Sequence, residues 1–418
     1  MKDLQLQKGR TPVIISSTNL KLDLITMKVA APCTAAQLCF SVLFPLHCFT
    51  QETASKQFRD QTSTPEGQSR VFRWVCQAIN ILKYLLLLLA IPPILNFASL
   101  QREADLLAPN GNFVDIGLGQ RFFLSCQGKG QPVVLLDAPT GASSDVWFFV
   151  QQKLSELTQV CSYDRASLGF SKQSFPNEST GLEKAWRMFT TGRMVDDLHR
   201  IIQEVKLPKP FILVGSEIGA LNARFYSHIY DWEVSELVLI NPLTEELFND
   251  DNWINYWHAQ LIPSLQIIQI AAVTGLNRLG LVTGLMQQPL RGGNFPEDVI
   301  RRQKSLLCSL QHVGAALDEH FFINESIVQV RAISRFKPHP KHVDVTVISW
   351  KMYDEQLPER VNKAWERSQE NLQHSLPYPS TIVILDGTAR HALTTHPSAI
   401  VRTLQKLVAR RRDASLAQ

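Results

Sequence analysis

FILVGSEIGALNARFYSH, residues 211–228, is the stretch of sequence that decides the fold. It opens with four consecutive apolar residues, which is typical of a strand buried on both faces of a parallel sheet. Gly215 and Gly219 bracket a tight turn, and the residues that follow have the composition of a helix. The segment therefore predicts a strand, a sharp turn with Glu217 at its apex, and a helix.

Short apolar runs elsewhere in the chain predict further strands of the same sheet. They lie at 122–124, 133–136, 160–163, 237–240, 343–348 and 381–385, with helical patterns between several of them. This alternation is typical of a mostly parallel sheet flanked by helices. Residues 243–340 break it with helical, apolar sequence, which predicts a cap over the carboxyl edge of the strands, where ligands bind. The apolar residues of the cap either line a lipid-binding groove or only pack the cap on the body.

Several motifs appear in the order expected for α/β-hydrolases. G-S-E-I-G at 215–219 resembles the nucleophile elbow G-x-S-x-G of that superfamily. YDRASLGFS at 163–171 resembles its YDRxGxGxS segment, with Ser167 in place of a glycine, and 133–144 corresponds to a strand and the oxyanion loop. The resemblance covers residues from about 110 to 405 and implies an α/β-hydrolase fold of the AB hydrolase-1 type.

The resemblance also assigns the catalytic positions, but their chemistry is altered. Glu217 stands where a serine would form the acyl-enzyme, although relatives that open epoxides or displace halides use aspartate there. Ser216 can replace it only if the turn shifts by one residue. His391 matches the late catalytic histidine. Asp354 matches the acid, since the alternative acid position holds Asn241; a solvated loop aspartate is an equal interpretation of Asp354.

The oxyanion hole differs from that of the family as well. One donor is the N–H after the nucleophile, which here belongs to Ile218. The other comes from the loop after the strand at 133–136, where Pro139 stands and no N–H exists. Thr140 can substitute only if the loop is shifted. Losing one donor costs about a hundred- to a thousandfold in other hydrolases.

Residues 74–98 predict a transmembrane helix. Five consecutive leucines lie at 85–89, and Lys83 is the one charged residue of the run, which exceeds the about 20 residues needed to cross a bilayer. Pro92 and Pro93 would kink or break such a helix, so an interfacial or re-entrant helix, or a helix buried in the domain, are the alternatives. The preceding tail, 1–73, is polar except for a weaker apolar segment at 29–50.

The charges around this helix predict its orientation. Arg59, Arg70 and Arg73 precede it, so the N-terminus is expected to be cytoplasmic. The domain at 99–418 would then be lumenal or extracellular, in an endomembrane such as the endoplasmic reticulum or in the plasma membrane. Glycosylation sequons at 177–179 and 324–326 fit this orientation, although two are about what chance supplies. No N-terminal segment has the order of a cleaved signal peptide.

Composition excludes several other classes. The 418 residues carry a net charge of only +4, spread along the chain, which indicates no nucleic-acid partner. Seven cysteines with irregular spacing suggest no disulfide or zinc framework, and Cys126, Cys161 and Cys308 are interpreted as buried free thiols. The histidines, including His312 and His320, are too scattered to predict a metal site, and no dinucleotide-binding loop occurs, so no cofactor is expected.

Together these features predict a membrane-attached protein of the α/β-hydrolase fold without ordinary serine-hydrolase activity. It would bind a lipid or small apolar molecule, or act as a scaffold, with an ion pair between Glu217 and His391 filling the former catalytic site. The alternative is a hydrolase of ester, lipid or epoxide substrates that uses Glu217 or Ser216 together with His391 and Asp354.

Overall fold

A computed structural model describes residues 66–117, 119–172, 189–375 and 380–416 of the chain. The apolar segment at 29–50, the rest of the tail before residue 66, and the sequon at 177–179 lie outside the described residues. The chain divides into two units, Met1–Ile79 and Asn80–Gln418.

The first described element is the long helix α1, Glu66–Leu106. Its part from Trp74 to Leu106 is long and apolar enough to span a membrane. The most apolar stretch of this part is not buried, whereas the core helix of a soluble protein would be mostly buried. The helix extends past the predicted end at residue 98 and continues through Pro92 and Pro93. A break at the prolines, which the sequence suggested, is therefore not observed.

The described strands form an eight-stranded sheet with the order β1-β2-β4-β3-β5-β6-β7-β8. The strands are β1 Asn112–Asp115, β2 Arg121–Gln127, β3 Val134–Asp137, β4 Val160–Tyr163, β5 Phe211–Ser216, β6 Val234–Ile240, β7 Asp344–Met352 and β8 Ser380–Thr388. Only the pairs β1–β2 and β2–β4 are antiparallel. All residues of β3, β4 and β5 are buried, which explains why their sequences read as continuous apolar runs. The mostly parallel sheet is as predicted.

Helices cover the sheet and form the cap. Beside the sheet lie α2 Phe148–Leu154, α3 Thr191–Glu204, α4 Ile218–Ile229, α11 Glu359–Ser375, α12 Ala392–Thr395 and α13 Pro397–Leu416. Between β6 and β7 lie α5 Asp251–Tyr256, α6 Ile262–Val273, α7 Leu276–Thr283, α8 Glu297–Cys308, α9 Leu310–Phe321 and α10 Ile323–Phe336. A π-helical turn, Trp257–Leu261, joins α5 to α6. The helical insertion thus follows the strand after the elbow, where it can cover the carboxyl edge of the sheet.

Two of the cysteines correct the sequence interpretation. Cys126 on β2 and Cys161 on β4 face each other across an antiparallel pair and form a disulfide, with their Cα atoms 4.1 Å apart. The prediction of free thiols at these two positions is wrong, because the pairing of strands distant in sequence brings them together. Cys308 is free and buried, as predicted.

Candidate functional site

The turn after β5 places Glu217 at the apex of an elbow. Glu217 has φ 50° and ψ −111°, a conformation that L-residues rarely adopt. The turn is so tight that a Cβ on Gly215 would lie 2.0 Å from the carbonyl oxygen of Gly219, which explains the glycine at this position. Ser216 is the last residue of β5 and helix α4 begins at Ile218, so the turn is not shifted by one residue.

The oxyanion loop donates its backbone N–H groups to carboxylates of the protein itself. The N–H of Thr140 donates to Glu217 Oε2 at 3.2 Å, and the N–H of Gly141 donates to Glu319 Oε2 at 2.7 Å. Pro139, which has no N–H, precedes them. The loop donors nearest to the elbow are therefore already occupied.

A buried arginine, Arg165, holds the oxyanion loop through hydrogen bonds and ion pairs. Arg165 lies 2.6 Å from Asp137 on β3 and 2.7 Å from Glu319 on α9, and all three side chains are almost fully buried. Its guanidinium also donates to the carbonyl oxygens of Ala138 and Pro139, each at 2.7 Å. Sheet, oxyanion loop and cap helix thus share one ion network.

The segment that supplies Arg165 has the backbone that its motif requires. Ser167, which stands where the family has a glycine, has φ 62°. Asp164 accepts hydrogen bonds from the N–H groups of Ser144 at 2.7 Å and Phe170 at 2.9 Å. Burial raises the pKa of Asp164 to about 6, although these hydrogen bonds oppose the shift. Asp164 therefore ties the segment together instead of facing the site.

The candidate acid is bound to a cation other than the candidate base. Asp354 is 6% exposed, so it is not the solvated loop aspartate considered from the sequence. Its Oδ2 accepts from Arg390 at 2.7 Å and its Oδ1 from the N–H of Gln356 at 3.0 Å. Burial opposes ionisation, but these two hydrogen bonds and the charge of Arg390 together lower the pKa of Asp354. The carboxylate is held by Arg390.

His391 and Glu217 line the same cavity but do not pair. No hydrogen bond joins the two side chains among the described residues, and the ring of His391 has none to Asp354. Burial and the charges of Arg390 and Arg291 lower the pKa of His391 to about 4, whereas burial raises the pKa of Glu217. The ion pair expected from the sequence is therefore not formed, because no contact joins the two side chains; both pKa shifts also favour the neutral forms.

The cavity above the elbow has a volume of about 330 Å³. Its polar lining residues include Glu217, Ser216, Thr140, Tyr353, Arg390 and His391, and Pro139 lies next to Thr140. Its walls come largely from apolar side chains, among them Leu261, Leu265, Ile268, Leu290, Leu307, Val313 and Leu393. Part of the apolar cap sequence therefore lines a cavity in addition to packing on the body.

Two histidines that the sequence left unassigned lie in this wall. His312 Nδ1 accepts a hydrogen bond from the N–H of Gly169 at 3.0 Å, and His320 Nδ1 lies 2.7 Å from the carbonyl oxygen of Ala316. Burial lowers the pKa of both rings to about 4, so at neutral pH both are neutral. His312 then carries its proton on Nε2, while His320 carries it on Nδ1. The sequence feature that could have indicated their shared position in the cavity wall is their spacing of eight residues along one helix.

Other parts of the site also depend on contacts that the sequence did not show. Arg390 directly precedes His391, yet its pairing with Asp354 depends on the turn after β7.

Within the described ranges, no group of three or more His, Cys, Asp or Glu side chains is arranged to hold a metal ion.

Sequence comparisons give partial matches. No family model matches the chain. An AB hydrolase superfamily protein of Gibberella zeae is 30% identical over 118 residues, which are 27% of this chain and 33% of that protein. A protein named probable transporter efuK, of Hormonema carpetanum, is 27% identical over 138 residues, which are 32% of this chain and 18% of that protein. The matches thus span at most a third of these curated relatives.

Solved structures match most of the chain. Cfl2 of Burkholderia cenocepacia has a TM-score of 0.52 at 15% identity and covers 71% of this chain and 95% of its own. A Pseudomonas aeruginosa protein assigned as an epoxide hydrolase has a TM-score of 0.52 at 14% identity, with 73% and 98% covered. At these identities the likeness extends to the fold alone.

Proposed function

This chain has the α/β-hydrolase fold, and we propose that it is a membrane-attached member that binds an apolar small molecule or lipid without ordinary serine-hydrolase chemistry. One observation carries the proposal: the nucleophile position holds Glu217, whose carboxylate accepts the N–H of Thr140. Nucleophile and oxyanion donor are thus replaced by a hydrogen bond within the protein.

The remaining parts of the site support this proposal. Acyl transfer needs a hydroxyl nucleophile, a base oriented by an acid, and donors for the developing oxyanion. Gly141 donates to Glu319, and Asp354 is paired with Arg390. His391 lacks a hydrogen bond from its ring to either carboxylate. A substrate oxyanion would also have to compete with the carboxylate of Glu217 for the N–H of Thr140.

The cavity supports the binding of an apolar ligand. Its walls are mainly aliphatic, while neutral His312 and His320 offer a few hydrogen-bonding groups. Apolar walls with a small number of polar groups are typical of sites for small organic ligands. A lipid acyl chain in the cap with a polar end near Thr140 and His391 fits this distribution.

Three features support membrane attachment with the large domain on a lumenal or extracellular face. Helix α1 is long enough to span a bilayer and exposes its leucines. The disulfide between Cys126 and Cys161 is typical of oxidising compartments. Asn324 of the second sequon is exposed on α10.

Ligand binding can be tested with a fluorescent fatty acid and purified protein in detergent. Ile268→Trp fills the cavity and is expected to abolish binding, because Ile268 lines the wall. Ile267→Trp is the matched control, because Ile267 is next to Ile268 on the same helix but is 68% exposed and does not line the cavity. Equal binding by both variants, or no binding by the unaltered protein, contradicts the proposal.

One observation favours a second candidate, a hydrolase with Glu217 as nucleophile or base. The elbow retains φ 50° at Glu217, and backbone conformations of this kind cost about 1–3 kcal/mol and often mark functional sites. This enzyme would hydrolyse epoxide, ester or lipid substrates with His391 activating water. Its test is hydrolysis that is lost in Glu217→Gln but kept in Ser216→Ala; the same loss in Ser216→Ala would instead assign the nucleophile to Ser216.

A further inference from the structure

A stripe of exposed apolar side chains runs along helices α6 and α7 and ends two residues beyond α7. They recur every third residue, and each is between 42% and 88% exposed: Ile267, Ile270, Val273, Leu276, Leu279, Val282 and Leu285. The two helices meet at Gly275 with a bend of 92°. Large contiguous apolar surfaces on soluble proteins are uncommon and mark sites of contact with a partner or a membrane. We call this pair the α6–α7 hairpin.

The hairpin carries almost no charge. Arg278 is the only Asp, Glu, Lys or Arg among residues 252–290. Its guanidinium donates to both carboxylate oxygens of Glu103, at 2.6 and 2.8 Å, and to Asn96 Oδ1 at 2.9 Å. The one charge is therefore paired, which is the state in which charged groups are tolerated in lipid.

Polar backbone groups at the bend have partners within the protein. Asn277 Nδ2 donates to the carbonyl oxygens of Ile268 at 3.0 Å and Leu307 at 2.8 Å. Thr274 Oγ1 donates to the carbonyl oxygen of Ile270 at 2.9 Å. A broken helix at membrane depth requires such side-chain partners, because lipid offers none.

The hairpin packs against the second half of α1. Asn96 Nδ2 donates to the carbonyl oxygens of Ala272 and Cys308, both at 3.1 Å, and Asn96 is only 5% exposed. A Cβ on Gly275 would lie 2.4 Å from the carbonyl oxygen of Pro92, so the two backbones touch. The exposed leucines of α1 and the stripe on the hairpin thus belong to neighbouring, mutually fixed elements.

From this continuity we propose that the α6–α7 hairpin is inserted among the acyl chains of the bilayer that holds α1. The proposal rests on the membrane attachment proposed above. It also deepens the binding proposal, because α6 presents Leu265 and Ile268 to the cavity and Ile267 and Ile270 to the outside. One helix, about 10 Å across, separates the cavity from lipid, so the ligand class is an acyl-chain amphiphile taken from the membrane.

The insertion can be tested with the full chain in lipid vesicles. An environment-sensitive fluorophore is attached to a cysteine introduced by Val282→Cys, Leu86→Cys or Phe336→Cys, one at a time. The background carries serine at Cys33, Cys39, Cys48 and Cys76. Val282 is 80% exposed on the hairpin, Leu86 is 57% exposed on α1, and Phe336 is 87% exposed at the end of α10, outside both elements. Phe336 is the matched control for an exposed apolar position.

Lipids brominated along their acyl chains are expected to quench most of the fluorescence at positions 282 and 86, with blue-shifted emission, and to leave position 336 unquenched. Quenching at 86 without quenching at 282 overturns the hairpin proposal while membrane attachment stands. Quenching at neither position overturns both. Equal quenching at 336 and 282 also overturns the hairpin proposal, because insertion would not be specific to this surface.

Discussion

Replacing Glu217 by serine is expected to convert an unreactive site into one that reacts slowly with fluorophosphonates. Glu217→Ser puts a hydroxyl at the apex of the elbow and releases the N–H of Thr140, to which the carboxylate is hydrogen bonded at 3.2 Å. Each oxyanion donor is worth about 2.7–4 kcal/mol in other hydrolases, or a hundred- to a thousandfold in rate. The variant gains a donor of this kind together with the nucleophile.

The same geometry limits the gain. Asp354 remains paired with Arg390 at 2.7 Å, so it does not orient His391. Loss of the orienting acid costs about 10⁴-fold in serine proteases, and labelling of Glu217→Ser is expected to be slower than that of an ordinary serine hydrolase by about this factor. The pKa of His391 near 4 keeps the ring unprotonated, as a base must be.

The assay is the rate of covalent labelling, followed by intact mass. Glu217→Ala is the control, because it frees the N–H of Thr140 without supplying a hydroxyl, and it is expected to remain unlabelled. The unaltered protein is expected to remain unlabelled too. Labelling of the unaltered protein or of Glu217→Ala that disappears on Ser216→Ala would refute the reasoning, since Ser216 would then be the nucleophile.

Three further predictions concern the stability of the domain. Arg165→Met is expected to lower the free energy of unfolding by about 3–5 kcal/mol, because it leaves buried carboxylates uncompensated, whereas Arg301→Gln, which breaks an exposed pair, should change it by less than about 1 kcal/mol in chemical denaturation. The melting temperature is expected to fall between pH 6.5 and about pH 4. In this range His320 takes up a proton in the unfolded state but not in the folded state, where its pKa is about 4. The melting temperature of His320→Gln should therefore fall less steeply with decreasing pH. A pH profile identical to that of the unaltered protein would contradict the burial of His320. Peptide mapping without reduction should recover Cys126 linked to Cys161, and replacing both by serine should lower the free energy of unfolding by about 2–4 kcal/mol; free thiols at both positions in protein purified without reductant would contradict the pairing.

The elements that were predicted correctly are those with local signals. The apolar run at 211–214 and the glycines around Glu217 specify a strand and a tight turn within nine residues, so the sheet and the elbow follow from nearby chemistry. The motif places Ser167 at a glycine position, and its φ of 62° agrees with that placement.

The contacts that were missed join residues far apart in the chain. Glu319 meets Arg165 across 154 residues, and no property of either residue alone identifies the partner. Arg390 carries no local signal, because the family motif includes the neighbouring His391 and not the arginine. Cys126 and Cys161 became partners only when the register of two antiparallel strands placed them opposite each other.

The position of Glu319 has a consequence for how a ligand reaches the cavity. Its carboxylate accepts hydrogen bonds from the N–H of Gly141 and from Arg165. These bonds join α9 of the cap to the oxyanion loop on that side of the cavity. Lifting α9 would expose several buried charges at once and would carry a high energetic barrier. Helix α6 differs, because Leu265 and Ile268 line the cavity and the helix carries no Asp, Glu, Lys or Arg, so it can move without breaking an ion pair; we therefore expect a ligand to enter past α6. The expected entrance and the fixed contact at Glu319 thus belong to different helices of the cap.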